Sequence, residues 1–207
     1  MTAIYACSLQ PLLEGGWRSV LPALPADRQQ RALACRRDAD AARLTGAGRL
    51  LQQALERHGI PAQRQHFARH PQGKPFLPDH PDLQFSLGHS GPWAVCAVAD
   101  HPVGVDVEGL RCSAELARRY FHREESVLAE EADSRCRIWT AKEAFVKALG
   151  TGLTIPLDSF LVELTQDGLL LHQSYSSCSY RLHEYRLEDH RVCLCCTDEK
   201  PELVFLP

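Results

Sequence analysis

The chain has 207 residues, 44% of them hydrophobic, and a formal net charge of −3. That length supports one well-packed domain or two small lobes sharing an interface, and it excludes a short disulfide scaffold. The slightly acidic balance excludes a global attraction to nucleic acid or anionic membranes, so basic groups matter only where they cluster. No apolar run approaches the ~20 residues of a membrane-spanning helix, and the first residues lack a basic stretch leading into a long apolar one, so a cytoplasmic protein is expected. The nine cysteines are odd in number and scattered, which argues against a zinc ribbon or a disulfide framework. Their densest group, Cys193, Cys195 and Cys196, reads as buried free thiols on a strand.

In chain order, residues 3–8 ("AIYACS") read as an opening strand. Residues 27–57 carry an Arg- and Ala-rich helical pattern with Asp27 as its N-cap and a glycine stop, and Gly46 and Gly48 predict a break inside it. "LQFSLGHS", "WAVCAVAD" and "VGVDVE" each suit a strand, set among Pro and Gly turn signals. Residues 113–150 read as helical, interrupted around 121–124 and 131–134. The alternation of apolar and polar residues over 155–205 predicts an antiparallel meander. Helices and strands in this mixed order indicate an α+β fold.

Two stretches place charges where core is being built. In "GVDVEGL" (104–110), Asp106 and Glu108 are two apart on a strand and so share a face. On the helix over 135–149, Trp139, Glu143 and Lys147 form one stripe, opposite Ile138, Ala141, Phe145, Ala148 and Leu149. Taken alone, Glu143 and Lys147 are also an ordinary i,i+4 pair worth ~0.2–0.5 kcal/mol on a solvated face. Charges aimed to one side in both stretches call for a ligand.

Read in order, "GKPFLP" (73–78), "FSLGHSGPW" (85–93) with "GVDVE" (104–108), and "WTAKEAFVKALGTGL" (139–153) resemble the phosphopantetheinyl transferases, specifically the surfactin-synthetase-activating type. The similarity runs from "RRDADAARLTGAGRLL" through "IPLDSF". It implies a pseudo-two-fold pair of similar α+β lobes, with 1–102 carrying coenzyme A nucleotide contacts and 103–207 the metal site and the carrier docking surface. The implied reaction moves the 4′-phosphopantetheine arm of coenzyme A to a serine of an apo acyl, peptidyl or aryl carrier protein and releases 3′,5′-ADP. The resemblance also implies Mg²⁺ as cofactor and a monomer, with neither nucleic acid nor membrane as partner.

Residue by residue, the resemblance makes Asp106, Glu108 and Glu143 the metal ligands. Three such acids without a cation would repel and raise each other's pKa values. Glu143 is also the implied base, directly or through a water, and Lys147 the diphosphate contact. Lys142 is left as a substrate contact or a structural ion pair. His89 and Ser90 are implied coenzyme A contacts, Lys74 lies by the nucleotide's 3′-phosphate, and Arg28, Arg31 and Arg43 surround that phosphate and the adenine. Ser86 and Gly88 depart from the family, which has Asn and Ser there. Residues 116–128 are the expected docking surface, with Arg118, Arg119 and Arg123 for an acidic carrier helix and Tyr120 or Phe121 as apolar anchor. Two other readings use the same residues: a Mg²⁺-dependent nucleotide hydrolase, which would cleave coenzyme A without a carrier, and a noncatalytic coenzyme A-binding module, which would bind without turnover.

Overall fold

The computed structural model describes residues 1–110, 112–128 and 130–207, with the side chains of these except at 126–128 and 153. Strand β1 (Ala3–Ser8) leads through a π-helical segment (Leu12–Gly16) into the one-turn helix α1 (Trp17–Val20), then α2 (Ala26–Leu33) and α3 (Asp38–Arg57). A small hairpin of β2 (Ala68–Arg69) and β3 (Pro75–Phe76) precedes β4 (Gln84–Ser90), β5 (Trp93–Ala99) and β6 (Gly104–Gly109). Helices α4 (Ala114–Tyr120), α5 (Arg123–Leu128) and α6 (Ala132–Leu149) follow. The chain closes with β7 (Leu161–Thr165), β8 (Gly168–His172), β9 (Arg181–Leu187), β10 (His190–Cys196) and β11 (Leu203–Phe205).

The larger strands form two sheets, ordered β11-β1-β5-β4 and β6-β10-β9-β8-β7. Alternation decides how they stack. On β10, Cys193 and Cys195 face α6 with Ile138, Ala141 and Phe145. The intervening Val192, Leu194 and Cys196 face the first sheet, meeting Ile4, Ala6, Val95 and Ala97. On the outer face of that first sheet, α3 buries Leu50, Leu51 and Leu55 against Phe85, Cys96 and Val98. The layers therefore run helix, sheet, sheet, helix, and strands covered on both faces lack a polar side. Each large aliphatic side chain buried in these layers contributes roughly 1.5–3 kcal/mol. All nine cysteines are free thiols, and burial pushes those of Cys193 and Cys195 well above the usual thiol range.

Three sequence expectations change. The helical break falls at residues 34–37, between α2 and α3, while Gly46 and Gly48 lie inside an unbroken α3. Both glycines mark close approach: a Cβ at Gly46 would sit 2.2 Å from Leu9 Cδ2, and one at Gly48 2.9 Å from Arg28 Cδ. Packing there outweighs a helix-propensity cost of ~1 kcal/mol per glycine. Asp27 is not the cap of α2; Pro25 holds that position and Asp27 sits in the first turn, where a carboxylate favours the helix dipole. Finally, the chain after residue 102 does not stay with the second sheet. Strand β11 returns to pair in parallel with β1, and Leu206 donates its N–H to Ala6 O at 2.8 Å. That pairing covers what would otherwise be an open sheet edge. Among the described residues no helix is long and apolar enough to cross a membrane.

Candidate active site

The site forms where the edge strands β4 and β6 of the two sheets run beside each other. Ser86 and Gly88 close this seam. Ser86 Oγ accepts a hydrogen bond from the Val105 N–H at 3.0 Å, and a Cβ on Gly88 would lie 3.2 Å from Asp106 Cα and from Val107 N. The two departures from the family pattern thus let β4 lie against the backbone that carries Asp106. Helix α6 approaches the same strand from the other side. A Cβ on Gly104 would stand 1.9 Å from Ala144 O, so only glycine lets α6 pack this closely and bring Glu143 and Lys147 to β6.

Asp106 is buried, and Lys147 Nζ donates to its Oδ1 at 2.6 Å and to the carbonyls of Leu87 and Val105. Its other oxygen, Oδ2, is buried without a hydrogen-bond partner. Burial pushes the Asp106 carboxyl up from its usual range, and Lys147 partly opposes the shift. Glu108 accepts from Ser90 Oγ at 2.9 Å, which joins β6 to β4. Burial first and the Asp106 charge second raise both Glu108 and Glu143. The three acids therefore sense one another. Among the described residues, however, no three acidic, histidine or cysteine side chains stand assembled around a metal position. Lys147 holds one oxygen of Asp106, Ser90 holds Glu108, and Glu143 faces a different cavity from Glu108. The donor set fits a hard cation in its chemistry, three carboxylates with one buried oxygen left unpartnered.

Two cavities flank this cluster. One of about 300 Å³ is lined by Lys74, Phe85, Ser86, Glu143 and Lys147. The other, about 710 Å³, is lined by Arg43, His89, Ser90, Glu108 and His190. His89 has an open surface, but the concave wall around it removes enough water to lower its imidazole pKa, helped by Lys147 and Arg43. Arg43 Nε donates to Gly91 O at 3.1 Å and its guanidinium pairs with Asp40. Arg28 and Arg31 line neither cavity. Arg28 is buried beside Gly48, its pKa lowered by burial and by Arg31, while Arg31 is exposed.

Two further lysines, like Lys147, donate to backbone carbonyls. Lys74 Nζ donates to Val103 O, Lys147 O and Ala148 O, so its ammonium caps the end of α6 instead of standing free for a phosphate. Burial lowers its pKa to about 8. Lys142 is fully buried in an ion pair with Glu125 at 2.8 Å and donates to Leu157 O and Phe160 O. It is the structural ion pair, and Glu125, which also accepts from the N–H groups of His122 and Val162, is its unforeseen partner. Trp139, expected beside Glu143, packs edge-on against Tyr120. Phe121 is buried in the core of the second sheet, so it is no surface anchor, while Arg118 and Arg119 are exposed. The side chains of 126–128 in the expected docking segment lie outside the described ones. Sequence reasoning named Ser86 only as a departure from the family and did not foresee its bond to β6, the close approach at Gly104, or His190, because each depends on a partner from another element.

A family model described as the 4′-phosphopantetheinyl transferase superfamily matches residues 102–195. The 4′-phosphopantetheinyl transferase Sfp of Bacillus subtilis strain 168 is 40% identical over 128 residues, 57% of each chain, so that alignment spans just over half of its length. A 4′-phosphopantetheinyl transferase of Bacillus subtilis is 30% identical over 197 residues, covering 90% of this chain and 88% of that protein. The 4′-phosphopantetheinyl transferase psf-1 of Bacillus pumilus is 34% identical over 177 residues, 80% of this chain and 76% of its own.

Proposed function

Because this chain belongs to the 4′-phosphopantetheinyl transferase superfamily, we propose that it transfers the 4′-phosphopantetheine arm of coenzyme A to a serine hydroxyl of an apo carrier protein. The observation that carries this reading is the seam itself: buried Asp106 with an unpartnered oxygen, held by Lys147, with Glu143 and Lys147 lining one cavity and Glu108 the other. A site that handles a polyanion and a neutral nucleophile needs cations, acids and a proton acceptor together.

In the reaction the serine oxygen bonds to the phosphorus bearing the pantetheine arm. The bond from that phosphorus to the bridging oxygen breaks, and 3′,5′-ADP leaves with the electron pair. Glu143 takes the hydroxyl proton, directly or through a water. Lys147 supplies a point charge for the diphosphate, and His89, Ser90 and Arg43 bind donor phosphates from the larger cavity. Asp106, Glu108 and Glu143 would hold Mg²⁺, which supplies charge compensation for the diphosphate when bound. Arg28 and Arg31 are assigned to longer-range attraction of the nucleotide end. One chain contributes every group, so a cytoplasmic monomer is the accompanying reading.

The test is incubation of the pure protein with coenzyme A, Mg²⁺ and a panel of apo acyl, peptidyl and aryl carriers, read by intact mass. Addition of one phosphopantetheine per carrier is expected. Cleavage of coenzyme A without a carrier would identify a hydrolase instead, and binding without turnover a noncatalytic module.

A further inference from the structure

Arg28 is a cation without a counter-ion. The residue is only 9% exposed, yet among the described residues its guanidinium makes no hydrogen bond and no ion pair. Its nitrogens keep contact with solvent, since none of them is sealed from it. Gly48 on α3 makes the slot for the stem: a Cβ there would lie 2.9 Å from Arg28 Cδ and 3.5 Å from Nε, so any other side chain would push the arginine out. A buried charge left unpaired is costly. A fold that builds a slot for one, and leaves its nitrogens reachable, points to an anion arriving from outside.

The surrounding charges say which anion. Burial first and then the charges of Arg31 and Arg69 disfavour the Arg28 guanidinium, and Asp27 opposes them. Three guanidiniums against one carboxylate leave two positive charges, and Asp27 is exposed and pairs with none of the three. A phosphate monoester carries close to two negative charges at neutral pH and presents three oxygens to guanidinium forks. A single carboxylate would leave half of the charge uncompensated. Arg69 comes from a separate element, strand β2 of the hairpin, and no role has been given to it so far. Its Nη1 donates to Gly73 O at 2.8 Å, across a turn in which Gly73 takes φ +90°, in the left-handed region that favours glycine. That bond fixes the guanidinium and leaves Nε and Nη2 without a protein partner among the described residues. Lys74, on the same hairpin, is held by the end of α6, so Arg69 is the cation the hairpin still offers. We propose that Arg69 is the specificity-determining residue for the donor: together with Arg28 it takes the 3′-phosphate, so that the hairpin distinguishes coenzyme A from the same molecule without that group. This inference rests on the transferase reading, which makes coenzyme A the donor, and it gives the attraction exerted by Arg28 and Arg31 a point of contact.

The experiment measures, by calorimetry without a carrier, the affinities of coenzyme A and of dephospho-coenzyme A, which lacks the 3′-phosphate. The unmodified protein should bind coenzyme A more tightly, by about tenfold or more. Arg69→Gln should weaken coenzyme A about tenfold, the loss of roughly one charge-assisted hydrogen bond, and dephospho-coenzyme A by less than about twofold. Arg69→Lys keeps the charge without the fork and should recover only part of the preference. Arg28→Gln should lose the same preference; Arg69 is exposed, so its variants decide the assignment if circular dichroism shows Arg28→Gln to be unfolded. Equal weakening of both donors in Arg69→Gln, as general attraction would give, or no weakening of either, would overturn the assignment, while carrier modification by the unmodified protein would keep the transferase reading. A selective loss of coenzyme A affinity in a protein that modifies no carrier would support the phosphate site and overturn the transferase reading instead.

Discussion

Glu143 sits on the cleft side of α6, with its carboxyl raised by burial and by the Asp106 charge. The folded state therefore holds this proton more tightly than the unfolded chain does. The stability it contributes is complete below the unfolded carboxylate range and is lost as pH rises through the higher folded value. The charge that makes Glu143 a base at neutral pH is thus unfavourable to the empty fold. Glu143→Gln should raise Tm at neutral pH in chelator-treated protein, and the gain should vanish in acid, where glutamic acid is neutral in both states. The same variant should lower carrier modification by roughly two to three decades, about 3–4 kcal/mol of lost transition-state stabilisation. Thermal melts across pH together with carrier kinetics check both halves. A variant that melts earlier, or turns over normally, would contradict this role.

Helix α6 delivers catalysis from one side and is anchored from the other. Lys142, next to Glu143 in sequence, is sealed against α5 and the segment leading into β7 through Glu125 and two carbonyls, and its ammonium lies 4.3 Å from the centre of the Phe160 ring. Every donor of this ammonium has a partner, which is what makes a buried charge tolerable. Lys142→Met leaves Glu125 buried without its cation and should cost about 3–5 kcal/mol in denaturant unfolding. Replacing Glu125 by Leu in the same protein should restore much of that, because no charge remains to be desolvated. The kcat of the folded Lys142→Met protein should fall far less than that of Glu143→Gln, since the ammonium points away from the cleft and into the core. An unaltered unfolding midpoint would show that the pair is not the anchor.

At the scale of the whole molecule, the two sheets are tied at points far apart along the chain. Thr2 donates its N–H and its hydroxyl to Asp198, β11 completes the first sheet beside β1, and Lys74 ties the β3 hairpin to Val103 and the end of α6. Burial lowers the Lys74 ammonium to about 8. Between that value and the ordinary lysine range the unfolded chain binds more protons than the folded one, so stability rises with pH there. Lys74→Met should abolish that rise and cost roughly 1–3 kcal/mol from carbonyls left without a donor, measured by urea unfolding at neutral and alkaline pH. Its coenzyme A affinity should stay near that of the unmodified protein. A selective loss of that affinity would return Lys74 to the nucleotide phosphate.

Elements whose information is local are legible in the order of the amino acids. Short runs set among Pro and Gly turn signals marked 83–90, 93–100 and 103–108 as strands beside the opening strand 3–8, each within a residue of the observed bounds, and a 3.6-residue period marked the buried face of α6, with Ile138, Ala141 and Phe145 inward. The ordered motifs brought Asp106, Glu108, Glu143 and Lys147 into view for the same reason, since each spacing is read within one element. The partners of the lysines and the fit of the seam depend on contacts between distant parts of the chain. Lys74 meets carbonyls 73 and 74 residues away, Lys142 meets a glutamate on another helix, and β11 crosses back to the first strand. Gly104 is required by helix backbone brought close from α6, Gly88 sits tight against the backbone of β6, and Gly91 and Gly109 leave room for the His190 ring. No local period encodes such contacts, because they arise from the packing of helix, sheet, sheet and helix, which sets distances between residues the chain keeps far apart.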